Sequence, residues 1–332
     1  MRINIYGLSI ECQTASSDFA AALVRPYHYF VTEEEGKPAI TIIVKEEAPP
    51  YQAFPTIPAS FSSPRNIVYT APHQKIIDYF GGGVVVHEER DARYTLYSRD
   101  RNFLMEAFYL LVLSLFGQHC DTHKMMRIHA LALSYNDTAF LMPIPPGGGK
   151  STMALSLLQD REIKLMSDDE PIYNSSGELL PFPLRIGTLN QDILKTIPEQ
   201  YVYSIDRMEF GVKHFIDCGY WDAQIERRCL TDCVLFFTQR VLNGTAAVTP
   251  ISKFPVFKAL IRDAVIGIGL YQGVEFLFSH SSLEVLSKFW LAAKRLRFAA
   301  KLIRTAQTYQ LTLSNDIQEN ARVLKHFIKN YS

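Results

Sequence analysis

A run of three glycines followed by Lys150, Ser151 and Thr152 is the feature that most restricts what this chain can fold into. Two apolar strands, RIHALALSY and TAFLMPI, are predicted before Gly147–Gly149, joined by a tight turn at Asn136 and Asp137. The helical stretch MALSLLQD comes after the glycines. Glycines let the backbone turn so that successive N–H groups point at one anion, and the positive N-terminal end of a helix adds to the attraction. The sequence therefore predicts a phosphate-binding loop between a strand and a helix, and with it an α/β fold.

The residues after the glycines carry the side chains that such a loop uses. Lys150 would reach the β- and γ-phosphates of a nucleotide, the Ser151 hydroxyl would hold Mg²⁺, and Thr152 lies close by. The pattern G-x-x-x-x-G-K-[ST] is missed at one position, because Ile144 stands where the first glycine belongs. The alternative is a glycine-rich turn before an ordinary helix.

An aspartate pair follows the predicted helix at a short distance. The strand IKLMS ends at Asp168 and Asp169, 18 residues after Lys150, which leaves room for one helix and one strand. We therefore expect this strand to return beside the loop and to bring both carboxylates near the γ-phosphate. Two adjacent carboxylates at a phosphate divide into a metal ligand and a base for an incoming hydroxyl. The alternative is a pair that caps a helix or closes a turn.

Three short motifs in this part of the chain match a known family in kind and in spacing. They are RIHA, PGGGKST and SDD, with 21 residues from His129 to Lys150 and 18 from Lys150 to Asp168. The sequence thereby resembles the HPr serine kinase/phosphorylases and their kinase-like relatives, which include kinases that tailor lasso peptides. The resemblance covers about 127–192 well and the rest of the chain loosely.

This resemblance implies a fold and a chemistry. It implies an ATP-binding catalytic domain with a core like that of phosphoenolpyruvate carboxykinase, and ATP and Mg²⁺ as cofactors. By the resemblance, Lys150 binds phosphate, and Ser151 and Asp169 hold Mg²⁺. Asp168 takes the proton of a serine hydroxyl, and His129 sits beside the reacting groups. The alternative for His129 is a histidine of the apolar core.

The sequence departs from the family at two functional positions. No carboxylate stands near 183–187, where the family has a metal-binding glutamate. The family's later catalytic arginine has no secure match, and the candidates are Arg185, Lys213 and Arg262. These departures fit a kinase without the family's phosphorylase activity.

The 332 residues are enough for two ordinary domains, and the pattern changes along the chain. We predict a β-rich N-terminal domain over 1–118, with a role in substrate recognition, and the HPr-kinase-like catalytic domain over 119–332. Strands are predicted in the first domain at 2–12, 27–32, 39–45, 66–70, 83–88 and 94–98. Helices are predicted at 103–116, 153–160, 255–265 and 283–305, and from 317 onward. The proline-rich segment 49–64 is expected to be an extended connector, and Gly81–Gly83 a turn.

Composition excludes several classes of protein. Lys plus Arg and Asp plus Glu both number 34, so no basic excess supports wholesale non-specific binding to nucleic acid. Five cysteines make no disulfide framework and fit a reducing compartment. The apolar run 103–116 is shorter than the roughly 20 residues of a membrane span and contains Glu106, so we predict a buried helix and a cytoplasmic protein. Homo-oligomers are left open.

Three other groups of residues have both a functional and a structural interpretation. His214, Cys218, Cys229 and Cys233 could bind zinc, but cysteine beside a buried strand is more often a small apolar residue. The run 119–123 is expected to be a polar linker. The basic stretch Lys288–Arg304 is expected to be an amphipathic helix with a solvated basic face, the alternative being a docking surface for an acidic peptide.

The expected function is transfer of the γ-phosphate of ATP to a serine hydroxyl of a protein or ribosomal peptide, such as a lasso-peptide precursor. A small-molecule kinase, an ATPase and a nucleotide-sensing module without catalysis would use the same loop, so these classes stay open.

Overall fold

The computed structural model describes residues 1–145, 148–189, 191–207, 211–261 and 282–331. Gly147 and Arg262 therefore lie outside the described residues. The chain is a mixed α/β protein that divides into two compact units. In the described ranges, unit 1 comprises Met1–Phe116 and Leu194–Asp217, and unit 2 comprises 117–193, 218–261 and 282–331.

The strands are β1 Arg2–Ile5, β2 Leu8–Gln13, β3 Val31–Thr32, β4 Ile40–Lys45, β5 Phe61–Ser62, β6 Ile67–Ala71, β7 Gln74–Asp78, β8 Val84–Glu88, β9 Arg93–Tyr97, β10 Met125–Arg127, β11 Leu131–Tyr135, β12 Thr138–Met142, β13 Lys164–Ser167, β14 Ile172–Asn174, β15 Leu179–Leu180, β16 Arg185–Thr188, β17 Val202–Arg207, β18 Gly211–Asp217, β19 Asp232–Arg240, β20 Ala247–Pro250 and β21 Gln307–Leu313. The α-helices are α1 Ser17–Val24, α2 Arg101–Thr122, α3 Lys150–Leu157, α4 Gln191–Leu194, α5 Lys253–Leu260, α6 Ser282–Thr305 and α7 Ile317–Asn330. The predicted continuation of α5 to Val265 lies outside the described residues.

Residues 1–116 form one sheet in the order β3-β1-β2-β4-β9-β8-β7-β6-β5. The predicted strand 2–12 is in fact a hairpin, because Tyr6 and Gly7 take positive φ angles of 48° and 93° and reverse the chain. The predicted strand 27–32 is wrong for most of its length. Pro26 lies in the first turn of a 3₁₀ helix over Arg25–Phe30, which leaves only the two residues of β3. The glycine turn before β8 is confirmed.

Helix α2 is longer than predicted and contains residues 119–122, so the predicted polar linker over 119–123 is wrong for all but its last residue. With 22 residues it is, among the described helices, the one long and apolar enough to cross a membrane by length and composition. The prediction that it is too short for a span is therefore wrong as well. Its most apolar window has a mean hydropathy of 1.4, and 67% of that window is buried inside the protein, as in a core helix.

The central sheet of unit 2 has the order β13-β11-β12-β19-β21-β20. β11 and β12 form the predicted hairpin, with Asn136 at a φ of 53° in the turn. β19 runs parallel to β12, and β21 runs parallel to β19. The carboxyl ends of these three strands therefore meet at one edge, and the glycine loop leaves β12 at that edge.

Helices cover both faces of this sheet, because successive side chains of a strand point to opposite faces. Leu141 and Leu235 belong to the core cluster that contains buried residues of α5 and α6. Phe140 and Phe236 point the other way and pack edge-on against Phe327 of α7. A sheet buried on both faces accounts for the nearly continuous apolar runs of β12 and β19.

Helix α6 carries the predicted basic face, but one member of that face is buried. Arg295 is 6% exposed and makes a bidentate contact with Asp121, with Nη2 2.9 and 2.8 Å from the two carboxylate oxygens. Lys301 donates to the carbonyl oxygen of Ser175. The expectation of a fully solvated basic face is therefore wrong for Arg295, while Arg297 and Arg304 are exposed.

Candidate phosphate-binding site

The loop between β12 and α3 depends on glycine at two described positions. The N–H of Gly148 donates to the carbonyl of Pro145 at 2.9 Å. A Cβ at Gly148 would lie 2.6 Å from Ile144 Cγ2 and 2.9 Å from the Pro145 carbonyl oxygen, so a side chain does not fit there. Gly149 immediately precedes α3 with a φ of 94°, which favours glycine. The loop therefore turns tightly into the helix, as a phosphate cradle requires.

Lys150 folds back over this loop and is buried. Its Nζ lies 2.9 Å from the carbonyl oxygen of Ile144, 2.6 Å from Nε2 of His129 and 3.2 Å from Oδ1 of Asp169. An ammonium group has three N–H donors, and here three acceptors of the protein surround it. Lys150 is only 9% exposed, so it is part of a packed polar cluster rather than a solvated loop side chain.

His129 contacts both Lys150 and Asp169. Its Nδ1 lies 3.1 Å from Oδ1 of Asp169, and the same oxygen lies 3.2 Å from Lys150 Nζ, so the three side chains form one compact cluster. Nε2 can accept a hydrogen bond from the Lys150 ammonium, whereas the buried Nδ1 makes no hydrogen bond with a described residue. The sequence predicts His129 at the site, and the structure brings it there.

The two aspartates point to different partners. Asp168 is 9% exposed, and its Oδ2 accepts a hydrogen bond from Ser151 Oγ at 3.0 Å. The side chain of Asp169 is 48% exposed and faces His129 and Lys150. The turn that separates them is held by Ser167, whose Oγ accepts from the backbone N–H groups of Asp169 and Glu170 at 3.3 and 2.9 Å.

Strand pairing explains why distant parts of the sequence meet here. The N–H of Ile128 donates to the Pro171 carbonyl, and the N–H of Ala130 donates to the Asp169 carbonyl, both at 3.0 Å. These bonds join the antiparallel pairs β10–β14 and β11–β13 into one continuous register. In this register His129 stands opposite Glu170 and Ala130 opposite Asp169, so the pairing brings His129 beside Asp169.

Arg127 and Glu170, close in the chain to His129 and Asp169, form a buried ion pair. Arg127 Nη1 donates to Glu170 Oε2 at 3.0 Å, and the two side chains are 6% and 4% exposed. Burial raises the pKa of the Glu170 carboxyl, and Arg127 opposes that shift. A Cβ at Gly117 would lie 2.3 Å from Arg127 Nη2, so a side chain there would displace the guanidinium group of Arg127. Sequence reasoning missed this pair, although each member is within two residues of a predicted site residue.

The other residues that the sequence predicts for the site and that the structure describes are Thr152, Arg185 and Lys213. Thr152 is half-buried in the first turn of α3, next to Ser151. Arg185 is in β16, and Lys213 is in β18, where its Nζ lies 5.4 Å from the centre of the Phe215 ring. The arginine that does contact the described part of the loop is Arg240, which the sequence did not single out: its Nη2 donates to the Gly148 carbonyl at 3.0 Å.

The residues that fit Mg²⁺ are Ser151 and Asp168. Mg²⁺ takes oxygen ligands and is usually held by few protein groups together with substrate phosphates, and this hydroxyl and this carboxylate lie side by side. For zinc, the described residues contain no group of three or more His, Cys, Asp or Glu that could hold an ion. Cys218 and Cys233 are buried and Cys229 is exposed, and all five cysteines of the chain are free.

No model of a known protein family matches the chain, and no curated protein matches it in sequence. The functional argument therefore rests on the residues and contacts described above.

Proposed function

We propose that the protein is an ATP- and Mg²⁺-dependent kinase that transfers the γ-phosphate to a serine hydroxyl of a protein or a ribosomal peptide, with a lasso-peptide precursor as the specific candidate. The observation that carries the proposal is the cluster formed by His129, Lys150, Ser151, Asp168 and Asp169 at the mouth of a glycine loop that begins a helix. Phosphoryl transfer needs mainly positioning and charge neutralisation, which this cluster can supply.

The loop and Lys150 bind the phosphates in this proposal. Backbone N–H groups at the start of α3 and the helix N-terminus attract the anion. Lys150 exchanges its protein acceptors for phosphate oxygens. Ser151 and Asp168 would hold Mg²⁺, which would supply neutralisation of the phosphate charge.

The acid–base role goes to Asp169 rather than to Asp168. The family resemblance assigns the base to Asp168 and the metal to Asp169, but the contacts support the exchanged roles. Asp168 is already hydrogen-bonded to the metal-binding hydroxyl of Ser151. Asp169 is half-exposed, so an incoming hydroxyl can reach it, and its Oδ1 lies 3.1 Å from His129 Nδ1 and 3.2 Å from Lys150 Nζ. In the proposed step the serine oxygen bonds to the γ-phosphorus as the bond to the β,γ-bridging oxygen breaks. The hydroxyl proton passes to Asp169, and ADP leaves.

The test uses the whole chain with ATP, Mg²⁺ and the peptides encoded beside its gene, read by intact mass for the gain of one phosphate. Lys150→Met should abolish transfer, and Lys258→Met, which removes an exposed lysine of α5, should leave it unchanged. Phosphate release that needs no peptide would indicate an ATPase. Failure to bind ATP would refute the proposal, and ATP binding that survives with no turnover would indicate a sensing module.

The free cysteines support a reducing compartment, and we propose the cytoplasm.

A further inference from the structure

Two side chains of β19 hold the two ends of the phosphate loop. Thr238 Oγ1 donates to the carbonyl of Pro143, where the chain leaves β12. Arg240 Nη2 donates to the carbonyl of Gly148 at 3.0 Å, where the chain enters α3. The two residues are two positions apart in one strand and so lie on the same side of it. Because β19 runs parallel to β12, its last residues continue alongside the loop.

The other arm of Arg240 reaches a second segment. Its Nη1 donates to the carbonyl of Ser314 at 3.1 Å, at the end of β21 and just before α7. Ser314 is 3% exposed and is tied to α7 from both backbone groups. Its N–H donates to Asn320 Oδ1 at 2.8 Å, and its carbonyl accepts from Asn320 Nδ2 at 3.0 Å. One guanidinium group thus joins the loop to the first turn of α7.

We propose that Thr238 and Arg240 are positioning residues that brace the phosphate loop, and that Arg240 couples this loop to the N-terminus of α7. This inference rests on the proposed function, since it assigns the two residues to the nucleotide site. A trans peptide points its carbonyl and its N–H in opposite directions, so fixing the Gly148 carbonyl towards Arg240 turns the Gly149 N–H to the other side of the chain. Fixed N–H groups are what an anion-binding loop offers its ligand.

The coupling depends on the shape of the guanidinium group. Its two terminal nitrogens reach two carbonyl oxygens on separate segments, whereas the compact ammonium of lysine is a single point of charge. Arg240→Lys therefore keeps the positive charge beside the loop but loses the bridge. This difference separates a brace from a residue that acts on phosphate through its charge.

The experiment combines amide hydrogen exchange without nucleotide and ATP affinity measured by calorimetry. Arg240→Met and Arg240→Lys should both raise exchange by about tenfold or more in peptides covering 143–151 and 314–321, the loss expected for a charge-assisted hydrogen bond. Both should weaken ATP binding by about tenfold, because fewer molecules hold the binding conformation. Thr238→Val should raise exchange in the loop peptide alone. Arg297→Met, an exposed arginine of α6, is the matched control and should change neither quantity.

Unchanged exchange in both segments of Arg240→Met would overturn the brace. Wild-type ATP affinity in Arg240→Lys would also overturn it, since charge alone would then suffice. Failure of the wild-type protein to bind ATP would instead refute the proposed function, and the exchange measurement would still decide whether Arg240 bridges the two segments.

Discussion

Replacing Arg127 by methionine is expected to destabilise unit 2 by about 3–5 kcal/mol, the range measured when one partner of a buried ion pair is removed. The magnitude follows from the surroundings of Glu170, whose side chain is 4% exposed. Arg127 is bonded to Oε2, and Oε1 has no hydrogen-bond partner among the described residues. The variant would therefore leave the carboxyl group without that bond to Oε2, in a place that already raises its pKa.

Thermal unfolding followed by circular dichroism tests this prediction, with a fall in Tm of about 6–20 °C for a unit of this size. Arg227→Met is the matched control, because the contact of Arg227 with Asp222 joins side chains that are 58% and 52% exposed. Such a surface pair contributes about 1 kcal/mol or less. The double variant Arg127→Met/Glu170→Leu should regain most of the loss, since it removes the buried charge as well. A loss below about 1 kcal/mol in Arg127→Met, or no recovery in the double variant, would refute the reasoning.

Three further outcomes are expected. Asp169→Asn should keep ATP affinity and lose about 10²–10⁴-fold in the rate of phosphate transfer. In a magnesium titration, Asp168→Asn should be rescued in part by excess Mg²⁺. If Asp169→Asn were rescued instead, the two aspartates would have the roles implied by the family. Gly148→Ala should abolish ATP binding in calorimetry, because its Cβ would meet the Pro145 carbonyl at 2.9 Å, and wild-type affinity would contradict that contact. Burial opposes ionisation of Glu226, but hydrogen bonds from Arg228 and Ser134 outweigh it and lower its pKa from 4.5 to about 2. Its contribution of about 3 kcal/mol to the free energy of unfolding is present above pH 4.5 and is lost as the pH falls towards 2. In Glu226→Gln the free energy of unfolding should therefore depend less steeply on pH between 4.5 and 2. An acid-unfolding transition identical to that of the wild type would count against the assignment.

Local patterns in the sequence predicted the core of the site. The turn at Asn136, the glycines before Lys150 and the short return to Asp168 are all set by residues close together in the chain. Each of these features restricts the backbone strongly, so together they determine the hairpin, the loop, the helix and the strand that come one after another in the chain. The meeting of His129 with Lys150 and Asp169 is the direct result.

What the sequence could not predict depends on pairing between distant segments. Arg240 reaches Gly148 across 92 positions and Ser314 across 74, and Arg295 reaches Asp121 across 174. No local pattern distinguishes such arginines from solvated ones, because their partners are set by the order of strands in the sheet. The turn at Tyr6 was missed for a different reason, since a tyrosine with a positive φ breaks the usual preference for glycine or asparagine.

The three internal acceptors around Lys150 bear on which anions the site can take up. An anion that binds Lys150 must displace a carboxylate, an imidazole and a carbonyl that already contact the ammonium. Its net gain in binding free energy is the difference between its own contacts with the ammonium and the contacts that it displaces. Chloride or a single phosphate has little with which to compete, whereas a triphosphate brings several charges and occupies the backbone N–H groups as well. For the proposed nucleotide site, the internal contacts would therefore favour polyvalent ligands over the abundant small anions of a cell.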